Sequence, residues 1–218
     1  MDTDQHTVKV KICGLRSPED AGAVNAVLPD YTGFIFDPSR KRYIEPEKAE
    51  IIRKLLDERI RPVGVFVNAK ISEILEVLEI CRLDMVQLHG EESDGMIREL
   101  QEEYERRWRP VRRKLCIVKA FRIENEEDVR RAEASGADEI LLDHGRGGTG
   151  ESFDWSLLKS CGRRFFLAGG LTPENVETAI EQTGPYAVDV SSSLETDGRK
   201  DPEKIRRFMT AVRRTTGR

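Results

Sequence analysis

The chain has 218 residues, 35% of them charged, and a formal net charge of −4. This length suits one large domain or two small ones, and interspersed charge of both signs leaves no basic footprint for nucleic acid. No apolar run approaches the roughly 18 residues that would cross a membrane, and MDTDQHTVKV has no apolar signal core, so the expectation is a cytoplasmic protein with no membrane partner.

The first alternating run, residues 8–13, ends on Cys13. Lys9, Lys11 and Cys13 share one face of it, and Val8, Val10 and Ile12 share the other. A lysine two residues before the cysteine, on the same face, predicts a favoured thiolate. Ser17-Pro18-Glu19-Asp20 then reads as a helix start, with a capping serine before a first-turn proline and acids. A second run covers 32–36, and Arg40, Lys41 and Arg42 follow as a charge run before a helical pattern over 46–57. The third run, 62–67, reaches Asn68 and leads to a helix over 71–81. The fourth, 85–89, puts Gln87 and His89 on one face and precedes a helix over 91–107. A charge-rich connection, 106–114, leads to the fifth run at 115–120 and a helix over 126–135. The sixth run, 139–143, ends on Asp143; the loop HGRGGTG follows, with His144 directly after the carboxylate, and then a helical pattern over 154–160. The seventh, 165–168, runs into Gly169-Gly170, and Thr172-Pro173-Glu174 repeats the helix-start arrangement before a pattern over 173–182. The eighth, 187–190, carries Asp189, continues into Ser191-Ser192-Ser193, and precedes a last helix over 202–214.

Eight strand–helix units with no Pro/Gly-rich linker predict an α/β protein with a parallel sheet, and eight closes a single (β/α)8 TIM barrel spanning residues 1–218. An open doubly wound sheet is the alternative, but no G-x-G-x-x-G follows the first strand. Barrel enzymes carry their chemistry at the C-terminal strand ends. There this chain collects Cys13, Asn68, Gln87, His89, Asp143 and Asp189, and a thiol with a carboxylate makes a base–acid pair. Gly169-Gly170 and Ser191-Ser192-Ser193 follow the seventh and eighth strands, where barrels often bind phosphate. Neither loop contains a lysine or arginine, which leaves backbone N–H groups as the donors. Each feature also has a plainer reading: a buried small thiol, a turn-capping aspartate, a structural histidine, a tight glycine turn, a solvated charge run. Cys13, Cys81, Cys116 and Cys161, with His6, His89 and His144, show no metal-ligand spacing, so no metal is expected.

The phrases KICGL, GFIFDPSRKRYI, VGVFVN, VQLHGEE, ILLD…GGTGESFDW, LAGGLTPENV and AVDVSSSLE…GRKDPEKI occur in this order across nearly the whole chain. On them the sequence resembles the phosphoribosylanthranilate isomerases. The resemblance implies a cofactor-free Amadori rearrangement of a small phosphosugar, N-(5-phosphoribosyl)anthranilate, in tryptophan biosynthesis. It implies Cys13 as general base, Asp143 as general acid, and Arg42 as reader of the anthranilate carboxylate. It also implies Asp189 near the anthranilate amine, His89 lining the site, and Gly169, Gly170, Ser191 and Ser192 on the phosphate. A monomer or homodimer is expected. Ser193 departs from the family's usual glycine; if φ there is positive, the serine costs about 1 kcal/mol of backbone strain. A metal-dependent sugar-phosphate epimerase would need more histidines, indole-glycerol-phosphate synthase its own lysine and glutamate motifs, and a non-catalytic barrel no Cys13–Asp143 pair.

Overall fold

Eight short apolar runs pair in parallel and in chain order, and the last pairs with the first, so the sheet closes into a barrel. The computed structural model describes residues 7–111, 113–143 and 155–216. His6, the HGRGGTG loop with His144, and Asp154 lie outside the described residues. The strands are β1 (Lys9–Cys13), β2 (Tyr31–Ile35), β3 (Arg61–Phe66), β4 (Met85–Leu88), β5 (Cys116–Arg122), β6 (Glu139–Asp143), β7 (Phe165–Ala168) and β8 (Ala187–Val190). Helices α1 (Pro18–Asn25), α2 (Pro46–Leu55), α3 (Ile71–Ile80), α4 (Asp94–Trp108), α5 (Glu126–Glu133), α6 (Val176–Thr183) and α7 (Pro202–Thr216) connect and follow them.

The period of two splits the core in two. Tyr31, Val63, Met85, Val118, Leu141 and Phe166 point into the barrel and form one buried cluster. Their strand neighbours Val10, Ile12, Phe34, Leu88 and Leu167 point outward and pack with Ile52, Leu78, Leu100, Val129, Ile180 and Phe208 from the helices.

Helix starts follow side-chain chemistry. Ser17 caps α1 as expected: its Oγ accepts from the Asp20 amide, while the Asp20 carboxylate accepts from the Ser17 and Arg16 amides. The second expected start differs. Thr172 Oγ1 accepts from the Glu174 amide and Asn175 Oδ1 from the Thr172 amide, at 3.2 and 2.8 Å. These bonds hold a turn first, so α6 begins only at Val176. The segment expected as a helix over 154–160 is a 3-10 helix, Trp155–Ser160. A small hairpin unforeseen in the sequence follows β8, made of β9 (Glu195–Thr196) and β10 (Arg199–Lys200). Asp197 and Gly198 turn it with positive φ, the backbone that a two-residue hairpin demands.

Strand register places Cys13 beside Gly33 on β2. A Cβ on Gly33 would sit 2.5 Å from Cys13 Sγ and 3.2 Å from its Cα. The glycine therefore makes the room that the thiol occupies. Gly33→Ala should overpack this point and cost about 1–3 kcal/mol of stability, read as a lower urea midpoint. An unchanged midpoint would mean that the thiol can move aside freely.

Candidate active site

The C-terminal strand ends surround a cavity of about 640 Å3. All nine residues that the resemblance implies line it: Cys13, Arg42, His89, Asp143, Gly169, Gly170, Asp189, Ser191 and Ser192; Asn68, gathered with the polar strand ends, does not and bonds Glu91 and Glu92 instead. Gln87 and Ser193 join them. Arg40, from the same charge run as Arg42, does not; it is exposed and pairs with Asp37. A cavity of about 680 Å3 also opens near the N-terminal strand ends, lined by Cys161, Arg163, Arg164 and Tyr186 among others, with no convergent acid and base. Among the described residues no group of three or more His, Cys, Asp or Glu side chains could hold a metal ion.

Near Cys13, β1 and β8 bring Lys11 opposite Asp189. Lys11 Nζ donates to Asp189 Oδ2 at 2.9 Å, with the two side chains only 1% and 9% exposed. Burial works against the Lys11 ammonium, but Asp189 and the Cys13 thiol outweigh it and raise its pKa. Cys13 behaves differently from the sequence expectation. Burial pushes its thiol up, and the pull of Lys11 and Lys200 toward thiolate does not overcome that. The physical reason is that Asp189 takes up much of the Lys11 charge and itself disfavours a second anion. The resting group is a thiol.

Near Asp143, Gln87 Nε2 donates to His89 Nδ1 at 2.8 Å. A neutral imidazole accepting at Nδ1 carries its proton on Nε2, and that nitrogen lies 3.3 Å from Asp143 Oδ2. The amide thus sets the tautomer that meets the carboxylate. Two buried oxygens on cavity-lining residues, Gln87 Oε1 and Asp189 Oδ1, have no protein partner among the described residues.

Two loops face each other between these sides. Gly169 and Gly170 adopt φ of 94° and 65°, which side chains rarely tolerate. After β8, Ser192–Leu194 forms a short 3-10 turn. Ser193 does not have positive φ, so the strain that the sequence allowed for is absent. Its Oγ instead donates to the Leu171 carbonyl at 2.5 Å and ties the two loops together.

The sequence reading missed two groups. Lys200 of β10 reaches under the β8 loop and donates to the Ser191 carbonyl at 3.0 Å, so a cation does stand at this loop. Glu195 of β9 receives Arg42 side-on, through Nε at 2.7 Å and Nη2 at 2.9 Å. Both lie inside the phrase AVDVSSSLE…GRKDPEKI, the one sequence signal that contained them.

A profile of the family described as N-(5'phosphoribosyl)anthranilate (PRA) isomerase matches residues 10–211. The N-(5'-phosphoribosyl)anthranilate isomerase of Acetivibrio thermocellus is 42% identical over 215 residues, covering 95% of this chain and 97% of that one. A crystal structure of monomers generated from the dimeric phosphoribosylanthranilate isomerase of Thermotoga maritima matches with a TM-score of 0.80 at 40% identity, covering 94% of this chain and 98% of that one. A phosphoribosylanthranilate isomerase in complex with reduced 1-(o-carboxyphenylamino)-1-deoxyribulose 5-phosphate matches with a TM-score of 0.81 at 39% identity, covering 97% of this chain and all 100% of the other. With nearly every barrel strand inside the profile match and identity near 40% along whole relatives, this chain belongs to the phosphoribosylanthranilate isomerase family.

Proposed function

We propose that the chain converts N-(5-phosphoribosyl)anthranilate to 1-(2-carboxyphenylamino)-1-deoxyribulose 5-phosphate, as one catalytic domain acting in cytoplasmic tryptophan biosynthesis. The observation that carries the reading is the placement of a thiol and a carboxylate on either side of two glycine- and serine-rich loops, on one cavity. In the closed strand order, β7 and β8 lie between β6, which ends on Asp143, and β1, which ends on Cys13. A 5'-phosphate held by Gly169, Gly170, Ser191 and Ser192 would therefore set the sugar between acid and base.

The chemistry then needs two proton movements. Asp143 protonates the furanose ring oxygen, the C1'–O bond breaks, and a protonated Schiff base forms. Cys13 takes the proton from C2', and the electrons of that C–H bond move to neutralise the iminium and give an enolamine. Tautomerisation of the enolamine gives the aminoketose product. His89 Nε2–H faces Asp143 and can stabilise the carboxylate left after proton transfer. Arg42 reads the anthranilate carboxylate: its Nη1 and the second Nη2 hydrogen remain free of Glu195, so a second carboxylate can bind end-on. Asp189 Oδ1, buried without a partner, suits the anthranilate N–H. The enzyme functions without metal, cofactor or nucleic acid, as a monomer or homodimer.

An assay with freshly generated phosphoribosylanthranilate, following loss of its fluorescence, tests the activity. Cys13→Ala and Asp143→Asn should each lower kcat by about 10²-fold or more, the scale of a positioned acid–base group. Near wild-type turnover in either variant removes that residue from its role.

The pH profile follows from the buried thiol. The productive pair needs one proton held between Cys13 and Asp143. Between the two macroscopic ionisations the productive fraction does not change with pH. Loss of the last proton ends activity on the alkaline side, and burial raises the thiol that holds it. The profile of kcat/KM should therefore stay flat through neutrality and fall only above the ordinary thiol range of about 8.5. A fall beginning well below that range would contradict a raised Cys13.

A further inference from the structure

Glu195 holds Arg42 of the site and, behind the β8 loop, Lys200. Its Oε1 accepts from Arg42 Nε at 2.7 Å and from Lys200 Nζ at 3.0 Å, and its Oε2 accepts from Arg42 Nη2 at 2.9 Å. The Glu195 side chain is 9% exposed and that of Lys200 is 1% exposed. The chain of contacts continues: Lys200 Nζ donates to the Ser191 carbonyl at 3.0 Å, and Ser191 Oγ donates to the Cys13 carbonyl at 3.0 Å. One carboxylate thus connects the Arg42 guanidinium, the β8 loop and the strand end that bears Cys13.

We propose that Glu195 is a positioning residue that aligns both anion-binding ends of the substrate site, Arg42 for the aromatic carboxylate and, through Lys200, the β8 loop for the phosphate. The proposal rests on the reading of Arg42 and of the phosphate loops given above.

At the carboxylate end, Glu195 grips the Nε side of a planar fork and fixes the plane in which the other edge is presented. The stem of Arg42 crosses Gly14, where a Cβ would lie 2.6 Å from Arg42 Cδ, so the glycine itself presents no side chain to steer it. At the phosphate end, Lys200 holds the Ser191 carbonyl. A trans peptide points its N–H opposite to its C=O, so the bond to Lys200 also aims the Ser192 N–H away from Lys200.

The sign of the effect needs an argument, because Glu195 is an anion among groups that bind anions. By Coulomb attraction alone, its removal would tighten anion binding. Two effects oppose that. Burial already lowers the Lys200 pKa, with Glu195 and Cys13 supporting its charge and Arg42 opposing it. Without Glu195 the ammonium loses its counter-charge and burial weighs more heavily against it, which offsets part of the charge released. Arg42 loses both bonds that fix its plane. Misalignment therefore outweighs released charge.

The test measures competitive inhibition by anthranilate, a probe of the Arg42 end, and by sulfate, a probe of the phosphate end. Glu195→Gln should weaken both by about tenfold, the scale of one lost charged hydrogen bond. It should raise KM by a similar factor and leave kcat within about threefold, since no reacting atom is touched. Glu195→Asp keeps the charge but is one methylene shorter, so it should restore part of both affinities. If Glu195→Gln does not fold, as judged by circular dichroism, Glu195→Asp carries the test, with both inhibitors weakened by intermediate amounts. Arg42→Ala should abolish anthranilate inhibition and leave sulfate inhibition within about threefold, because Lys200 keeps its carboxylate. Unchanged sulfate inhibition in Glu195→Gln would overturn the coupling. Tighter binding of either anion would show that Glu195 competes for the cations rather than aligning them. Unchanged anthranilate inhibition in Arg42→Ala would fault the underlying reading of Arg42, and the sulfate arm would then decide the phosphate end by itself.

Discussion

The pairing of β8 with β1 is the contact on which the site depends. It closes the sheet, and its register sets Lys11 level with Asp189. A slip of β1 by one residue would turn Lys11 and Cys13 out of the barrel and bring Val10 and Ile12 in. That slip would bury the wrong face and leave charged groups among the helices, so the register is strongly specified. The ion pair at its centre is a weak source of stability, because both charges have left water. Breaking one partner alone would nevertheless cost about 3–5 kcal/mol, the usual cost of stranding a buried charge. The pair therefore makes the closure selective more than it makes it strong.

Closure also decides how charge is shared on the base side. Lys11 is paired with Asp189, and for the thiol two residues further on burial is the largest influence, ahead of the ammonium. In the observed arrangement the net direction of its pKa is upward, which favours the proton on sulfur. On the far side, Gln87 and His89 give Asp143 a donor whose proton is already on the nitrogen that faces it. The two halves are thus tuned by neighbours that never meet one another.

The sequence revealed the strands because each carries its own signal. Alternation in residues 8–13 and the continuous apolar runs near Val63, Ile140 and Leu167 are local patterns, and the barrel follows from their count. Strand ends were legible for the same reason, and they led to the lining residues of the cavity. What was not legible depends on partners far away in the chain. Lys11 and Asp189 are 178 residues apart, and Arg42 and Glu195 are 153 apart. No periodicity reports such pairs, so Lys11 read as a free cation beside Cys13. Lys200 was hidden differently: a two-residue turn at Asp197-Gly198 folds it back under a loop that contains no cation of its own. The Thr172 start failed through competition, since the same side chains that cap helices also stabilise turns.

Ser193 carries this argument one step further. The family's usual glycine at this position suggests a need for backbone freedom, and a serine in its place suggests strain. The backbone there needs no positive φ, so the substitution costs nothing in conformation. It adds a hydroxyl that spans from the β8 loop to the Leu171 carbonyl beside Gly169-Gly170. Those glycines owe their use to main-chain freedom, which also means that the loop must be ordered when an anion binds. A crosslink from Ser193 orders it in advance. Lys200 does the same for the other loop from beneath, by holding the Ser191 carbonyl. The two loops are therefore tied in place by side chains outside the set proposed to touch phosphate.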